Sequence, residues 1–454
     1  MHEPRAPIAR RRMLQAGIGL AGGLALPRGL ARPGFGLAEA MAQDLPAKLG
    51  TYPDGASGPS VFVGITTPLT GPYSADGKDA QLGYELAIAE INAGSAAVAK
   101  WGLSGKGVLG KEIKYAVADS ETKPNVAVQA QTQFIQRNKA IMITGSVSSA
   151  TAIALEELAQ REKVLNMVGL SGSNDTTGKN CQRYGFRSQP SAYMACKALG
   201  PVVAKGLGHG RKAAYLVPDY SYGHSVFDSF VDAVKQYGWT TATQQVVPLG
   251  TSDFSSALLN IANSGADVFV NIAFGADSVA STKQADQFGV LKKMKLVVPN
   301  ISSFQAKEVG AALMQGAYGT FDFWWTMQDQ YPLAKDFVES FVAKHNYHPR
   351  WGAHIGYMQT LLWAASVERA KSFHPIAVIK TLEASKADPY TTSLGKVWYR
   401  AEDHQLVRPV PVVIGKAPGT MRNQDDFFDV LDVVPGEPLL PPIELTGCHM
   451  GTYS

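Results

Sequence analysis

Short apolar runs alternate with helical stripes from Val61 to Pro299, and the alternation breaks near Arg187 and restarts. Val61–Thr67, Ile113–Asp119, Ala140–Thr144 and Leu165–Val168 are short, predominantly apolar runs. Strands buried on both faces of a parallel sheet read this way. Between the first two, Tyr84, Ala87, Ile88 and Ile91 stand at i, i+3, i+4 and i+7, one apolar helix stripe. After Arg187, Ala213–Val217, Val268–Ala273 and Leu296–Pro299 repeat the strand pattern. The helix stripe recurs at Phe227, Phe230, Val231 and Val234, and again at Ala334, Phe337, Val338 and Phe341. Two such arrays predict an α/β protein of two doubly wound, Rossmann-like lobes with a cleft between them. Ligands of open α/β sheets bind beyond the carboxyl ends of the strands, so the loops that follow the strands are where function is sought.

The remaining segments place boundaries on this plan. Residues 1–42 carry Arg10-Arg11-Arg12-Met13-Leu14, a weakly apolar Gly-rich run to Leu26, and small-residue sites around Ala38–Ala42. That order is the order of an export leader, and the paired arginines resemble a twin-arginine signal, with Ala9 and Gln15 departing from the usual pattern. Residues 43–60, rich in Pro, Gly and Ser, read as a linker. Lobe 1 is expected over 61–187 with 325–390, and lobe 2 over 188–324 with 391–434. Gly316–Trp325 reads as a connecting strand, and Lys396–Tyr399 with Val407–Ile414 as a hairpin around Ala401–His404. Residues 435–454, with a cluster of prolines, read as an extended tail.

Composition narrows the function. The formal net charge is +4 in 454 residues, and Arg5, Arg10, Arg11, Arg12, Arg28 and Arg32 all lie in the leader. The rest is near neutral, which gives no electrostatic case for nucleic acid. No apolar run after the leader reaches the ~20 residues of a membrane-spanning helix. The three cysteines, Cys181, Cys196 and Cys448, show no metal-ligand spacing. In an oxidising compartment Cys181 and Cys196 can pair; otherwise all three are free thiols, and both readings stay open.

The loops, taken in order, resemble those of the periplasmic branched-chain amino-acid binding proteins, the type I solute-binding components of ABC importers. The matching pieces are ITTPLTGPYSADG with GYELAIAEIN, ADSETKPNVAVQ, ITGSVSSATA, GLSGSNDTTG, LVPDYSYG and SDFSSALLNIANSGADVFV. They span roughly Val61 to Ile414. The resemblance implies two lobes joined by three crossovers that close on a ligand by a hinge. It also implies a periplasmic location and an ABC permease as partner. No cofactor, nucleic acid or inserted segment is expected, and the protein is expected to work as a monomer.

The resemblance also assigns roles to residues. Ser148 falls where the family holds the ligand carboxylate, within a loop that opens a helix, where backbone N–H groups and the helix dipole favour negative charge. Ser149 fits a helix cap better. Gly172 and Ser173 lie in the next such loop. Tyr222 matches the tyrosine that covers the ligand, Tyr220 stands beside it, and Phe274 falls where the family often has another tyrosine. Tyr73 closes the cleft from lobe 1, and Trp324 or Trp325 is a further candidate wall. One departure stands out. Amino-acid binders place an acid after the strand equivalent to Leu296–Pro299 to pair the ligand ammonium; here Asn300 stands there. Asp277 is a substitute or, more simply, a helix cap. The expected ligand is therefore an amide, urea, carboxylate or aromatic acid, with an amino acid still open. An exported sensor subunit is the first alternative. An exported α/β hydrolase is the second, but His209, His224, His345, His348 and His354 sit in no Gly-x-Ser-x-Gly or His-Glu-x-x-His motif.

Overall fold

The computed structural model describes residues 45–453; the leader of residues 1–42 lies outside them. Lobe 1 is built on five parallel strands: β1 (Ser60–Thr67), β2 (Glu112–Asp119), β3 (Met142–Gly145), β4 (Leu165–Val168) and β5 (Gly185–Arg187). Their order is β2-β1-β3-β4-β5. Lobe 2 holds β6 (Lys212–Pro218), β7 (Thr240–Val247), β8 (Val268–Asn271), β9 (Lys295–Asn300), β10 (Tyr318–Thr320), β14 (Val410–Gly415) and β15 (Phe428–Val434). Its order is β15-β14-β10-β9-β8-β6-β7, with β14 and β15 antiparallel to their neighbours. The parallel part, β7-β6-β8-β9-β10, thus repeats the winding of lobe 1. Each lobe reverses strand order beside its first strand, at β1/β3 and at β6/β8, and such reversals open the crevice where ligands lodge.

The helices that frame the cleft are α1 (Ser74–Ala93), α2 (Ser149–Glu162), α3 (Ala192–Leu207), α4 (Ser221–Lys235), α5 (Gly275–Gln287), α6 (Ser303–Val309), α7 (Trp351–Ala370) and α8 (Pro375–Glu383). Helix α7 is buried along nearly its whole length and packs on α1. Gly83 permits that approach: a Cβ there would lie 1.9 Å from the Ala353 carbonyl oxygen. Gly83 therefore serves helix packing rather than the ligand loop before it.

Three crossings join the lobes, at Ser188–Ser191, at Phe321–Trp325 and at Arg408–Pro409, and a buried polar network ties them together. Arg408 pairs with the Asp322 carboxylate and also donates to the Asp322 carbonyl, both side chains fully buried. His354 Nδ1 lies 3.0 Å from the second Asp322 oxygen, and its ring stacks on Phe323 at 4.1 Å. Arg187 at the first crossing donates to Gln405 Oε1 near the third, at 2.8 Å.

Several sequence expectations change here. The linker is docked on lobe 1: Thr51 Oγ1 donates to the Ala140 carbonyl at 2.8 Å, and the Pro46 carbonyl meets His374 at 2.7 Å. Pro and Gly mark turns there, and the turns pack. Gly316–Trp325 contributes only the three-residue β10 before it crosses. The hairpin is short, because its second strand, β13 (Leu406–Val407), gives β12 (Gly395–Tyr399) only two paired residues, and β14 then leaves for lobe 2. With β11 (Tyr390–Thr392) these strands form a small antiparallel sheet that packs on α8, so 391–407 lie against lobe 1. The tail is pinned rather than free. Cys181 pairs with Cys448, not with Cys196, which is a buried thiol inside α3. The tail returns from lobe 2 to lobe 1, where Arg183 donates to the Gly451 carbonyl at 3.1 Å and Tyr184 to the Tyr453 carbonyl at 2.9 Å. Sequence proximity favoured Cys196, but its side chain faces the core of lobe 2.

Replacing Arg408 by Met strands the buried Asp322 carboxylate and is expected to cost about 3–5 kcal/mol of stability. Urea denaturation checks this, and a change within error of zero would refute the pair's role at the hinge.

Candidate functional site

The carboxyl ends of both sheets face each other, and a small cavity of about 10 Å3 lies between them, about enough for one water molecule. Its walls come from the strand-to-helix turns at the two reversal points. Val147 and Ser149 follow β3, and Leu170 and Gly172 follow β4; Tyr220 and Tyr222 follow β6, Phe274 follows β8, and Asn300 ends β9. Gln189 and Trp351 complete it. No Asp, Glu, Lys or Arg among the described residues lines this cavity.

The lobes touch directly around it. The Tyr73 and Tyr220 hydroxyls are 2.8 Å apart across the gap, and the Tyr73 ring meets Phe274 edge-on at 5.3 Å. Burial pushes both phenols well above their ordinary pKa, so both stay neutral. Further along the seam, the Ser173 and Ser225 hydroxyls are 3.0 Å apart, and Asn174 donates to Ser225 and Ser229.

The residues singled out from sequence divide into two groups. Ser149, Gly172, Tyr220, Tyr222, Phe274 and Asn300 line the cavity, whereas Tyr73 and Ser173 build the seam beside it. A Cβ on Gly172 would sit 3.0 Å from the Tyr222 ring and 3.1 Å from Asn300 Nδ2, so the wall there is close-packed. Ser148, not Ser149, occupies the cap position of α2, yet its side chain makes no cap bond. The buried Ser146 and Ser148 hydroxyls have no partner among the described residues. Ser149 Oγ instead accepts the Ser173 amide at 3.1 Å, which holds the second loop in place. Asp277 is no cap either: its carboxylate accepts the Gly250 amide at 2.7 Å, and Phe274 stands at the helix cap. Trp324 and Trp325 pack elsewhere, Trp324 donating to the Phe428 carbonyl.

Sequence reasoning missed Gln189 and Trp351. Gln189 Oε1 is buried without a partner among the described residues, two positions past the short β5. Trp351 opens α7, and its ring meets Phe274 edge-on at 5.3 Å. Its indole N–H donates to Asp76 at 3.3 Å. Burial raises the Asp76 carboxyl to about 7 and that of neighbouring Asp79 to about 6.

One set of residues has the form of a hydrolytic triad. Ser393 Oγ is 2.7 Å from His354 Nε2, and His354 Nδ1 is 3.0 Å from Asp322. All three are fully buried in the hinge, and Arg408 neutralises Asp322. A substrate has no route to the serine, so the set is structural.

The comparisons with known proteins agree with this fold. The chain belongs to the periplasmic binding protein family, whose model matches residues 60–419. Members of this family are solute-binding proteins of ABC transporters, not enzymes, and act on a small-molecule ligand. A Leu/Ile/Val-binding protein homologue of Brucella abortus is 26% identical over 346 residues, covering 74% of this chain and 84% of its own. The structure of an amino acid ABC transporter substrate-binding protein from Pseudomonas fluorescens superposes with a TM-score of 0.76, at 24% identity over 86% of this chain and 99% of that one. A solute-binding protein from R. palustris, solved in complex with benzoate, superposes with a TM-score of 0.71, at 20% identity over 86% of this chain and 99% of that one. No helix among the described residues is long and apolar enough to cross a membrane.

The raised Asp76 carboxyl fixes a sign for pH dependence. The folded protein holds this proton more tightly than the unfolded chain, where the ordinary value is 3.8. The site therefore adds stability at low pH and loses it as pH rises from about 4 to about 7. Asp76→Asn removes the slope. The melting temperature of the variant minus that of the native protein should climb over that interval and then level off. A constant difference would contradict the assignment.

Proposed function

We propose that the protein captures a small carboxylate or amide with a flat apolar body, an aromatic acid above all, and delivers it to an ABC permease. The cavity wall carries the reading: aromatic faces from Tyr222, Phe274 and Trp351, amides from Gln189 and Asn300, and no acid to pair an ammonium. An unpaired ammonium buried there would be costly. A carboxylate fares better although no cation is present. Helices α2, α4, α5 and α7 all begin at the cavity, and their N-terminal dipoles and free amides favour negative charge. The unpartnered Ser146 and Ser148 hydroxyls are further donors close to that end. Because the cavity is so small, any such ligand enters with the lobes apart and is enclosed as they close. The benzoate bound by the R. palustris protein is a ligand of this class. Residues 1–42 support export, with the twin-arginine-like pattern as the route.

Thermal melts against benzoate, benzamide and leucine test this. Benzoate-like acids should raise the melting temperature, with affinity in the micromolar range or tighter, about 8 kcal/mol of binding free energy. Leucine should do little. A shift with leucine and none with any acid or amide would overturn the reading. Tyr222→Ala should weaken binding at least tenfold, about 1.4 kcal/mol, by calorimetric titration.

A further inference from the structure

Behind the cleft, on the face of the hinge that carries Trp325, lies a separate pocket of about 340 Å3. That is the size of a small-molecule site. It shares no lining residue with the inter-lobe cavity. Lobe 2 contributes Ser303 and Lys307 from α6; Trp325, Tyr347 and Arg350 come from the segment that leads into α7.

Its two cations make no ion-pair contact among the described residues. Lys307 has no ion pair or hydrogen bond among the described residues. The Arg350 guanidinium pairs with no described carboxylate at contact distance; it lies over the Phe304 and Tyr347 rings at 5.9 and 5.8 Å. Asp76 and Asp79 feel its charge, but neither is hydrogen-bonded to its side chain. The one acid in the wall, Asp425, is already engaged by the His348 amide and ring at 3.4 and 3.3 Å. The Ser303 hydroxyl is buried, its residue 6% exposed, with no partner among the described residues. Two cations without an ion-pair contact and an unused hydroxyl form the complement of a small oxyanion, which would take charge-assisted bonds from them.

We propose that this pocket is a second binding site, for a small oxyanion whose charge lies between Lys307 and Arg350; the Trp325 ring beside it is already covered by His348, stacked at 3.9 Å, and by the Arg422 guanidinium at 4.9 Å. The site spans both lobes, so its occupant binds the closed form better than the open one. It also adjoins two of the turns that build the inter-lobe cavity. Arg350 directly precedes Trp351, and Ser303 stands three residues after Asn300. Occupancy therefore favours closure of the cleft, and by linkage the cleft ligand raises affinity here by the same factor.

Inorganic phosphate, titrated against sodium chloride at matched ionic strength, is the probe for the charged half. It should raise the melting temperature saturably and change the tryptophan fluorescence. Lys307→Gln, an exposed change that leaves the fold alone, should weaken that response about tenfold, as loss of a charge-assisted bond does. Ser303→Ala should weaken it less. Tyr222→Ala, which disables the cleft, should leave it intact, so this test stands or falls apart from the nature of the cleft ligand. A phosphate response no larger than that of chloride, or one that Lys307→Gln leaves unchanged, overturns the proposal.

Discussion

The Asp322–Arg408 pair is the constraint on which the two-lobed arrangement rests. Asp322 lies on one crossing and Arg408 on another, and both are fully buried. A buried pair of this kind contributes little net stability over an apolar substitute, but it is strongly destabilising to break. That asymmetry suits a hinge. The two crossings are held in one register, which fixes the axis about which the proposed closure would turn. His354 extends the register to α7 through the second carboxylate oxygen, and burial keeps its ring neutral. A neutral ring with Nδ1–H directed at Asp322 leaves Nε2 to accept from Ser393, so every polar atom in the set has a partner.

Around that axis, the cleft is assembled from groups that carry no net charge. The lobes meet through phenols, serines and an asparagine, and the ligand cavity is lined by rings and amides. Its polarity comes from the backbone. Four helices aim their first turns at one small volume, which supplies positive potential without a cationic side chain. That is the polarity the proposed anionic ligand calls for, one that needs no salt bridge and offers nothing to a second, positive end. The charged residues nearby are used elsewhere: Asp277 holds the Gly250 loop, Asp79 the first turn of α7 through the Ala353 amide.

What the sequence revealed follows burial. β1, β3, β4, β6, β8 and β9 are covered on both faces, so apolar residues predominate along them with few polar interruptions such as Asn166. β7 is an edge strand, and Thr240–Val247 alternates exposed and half-buried positions with glutamines among them, which hides it. β5 is three residues long and leaves no period to detect. In the cleft, Gly172, Tyr222, Phe274 and Asn300 were legible because each lies at or within four residues of the carboxyl end of a strand. Trp351 was not, because it opens a helix that reaches lobe 1 only after the chain has crossed over from lobe 2. Gln189 inherits the obscurity of β5. The partner of Cys181 depends on a tail that doubles back, which no local pattern announces.

That tail closes a covalent ring. From Cys181 to Cys448 the chain runs through all three crossings before the disulfide returns it to lobe 1. A single cut in any crossing would therefore leave both lobes on one continuous covalent framework. Here such a nick opens a loop without releasing a fragment, and the two halves of the cleft stay within reach of each other.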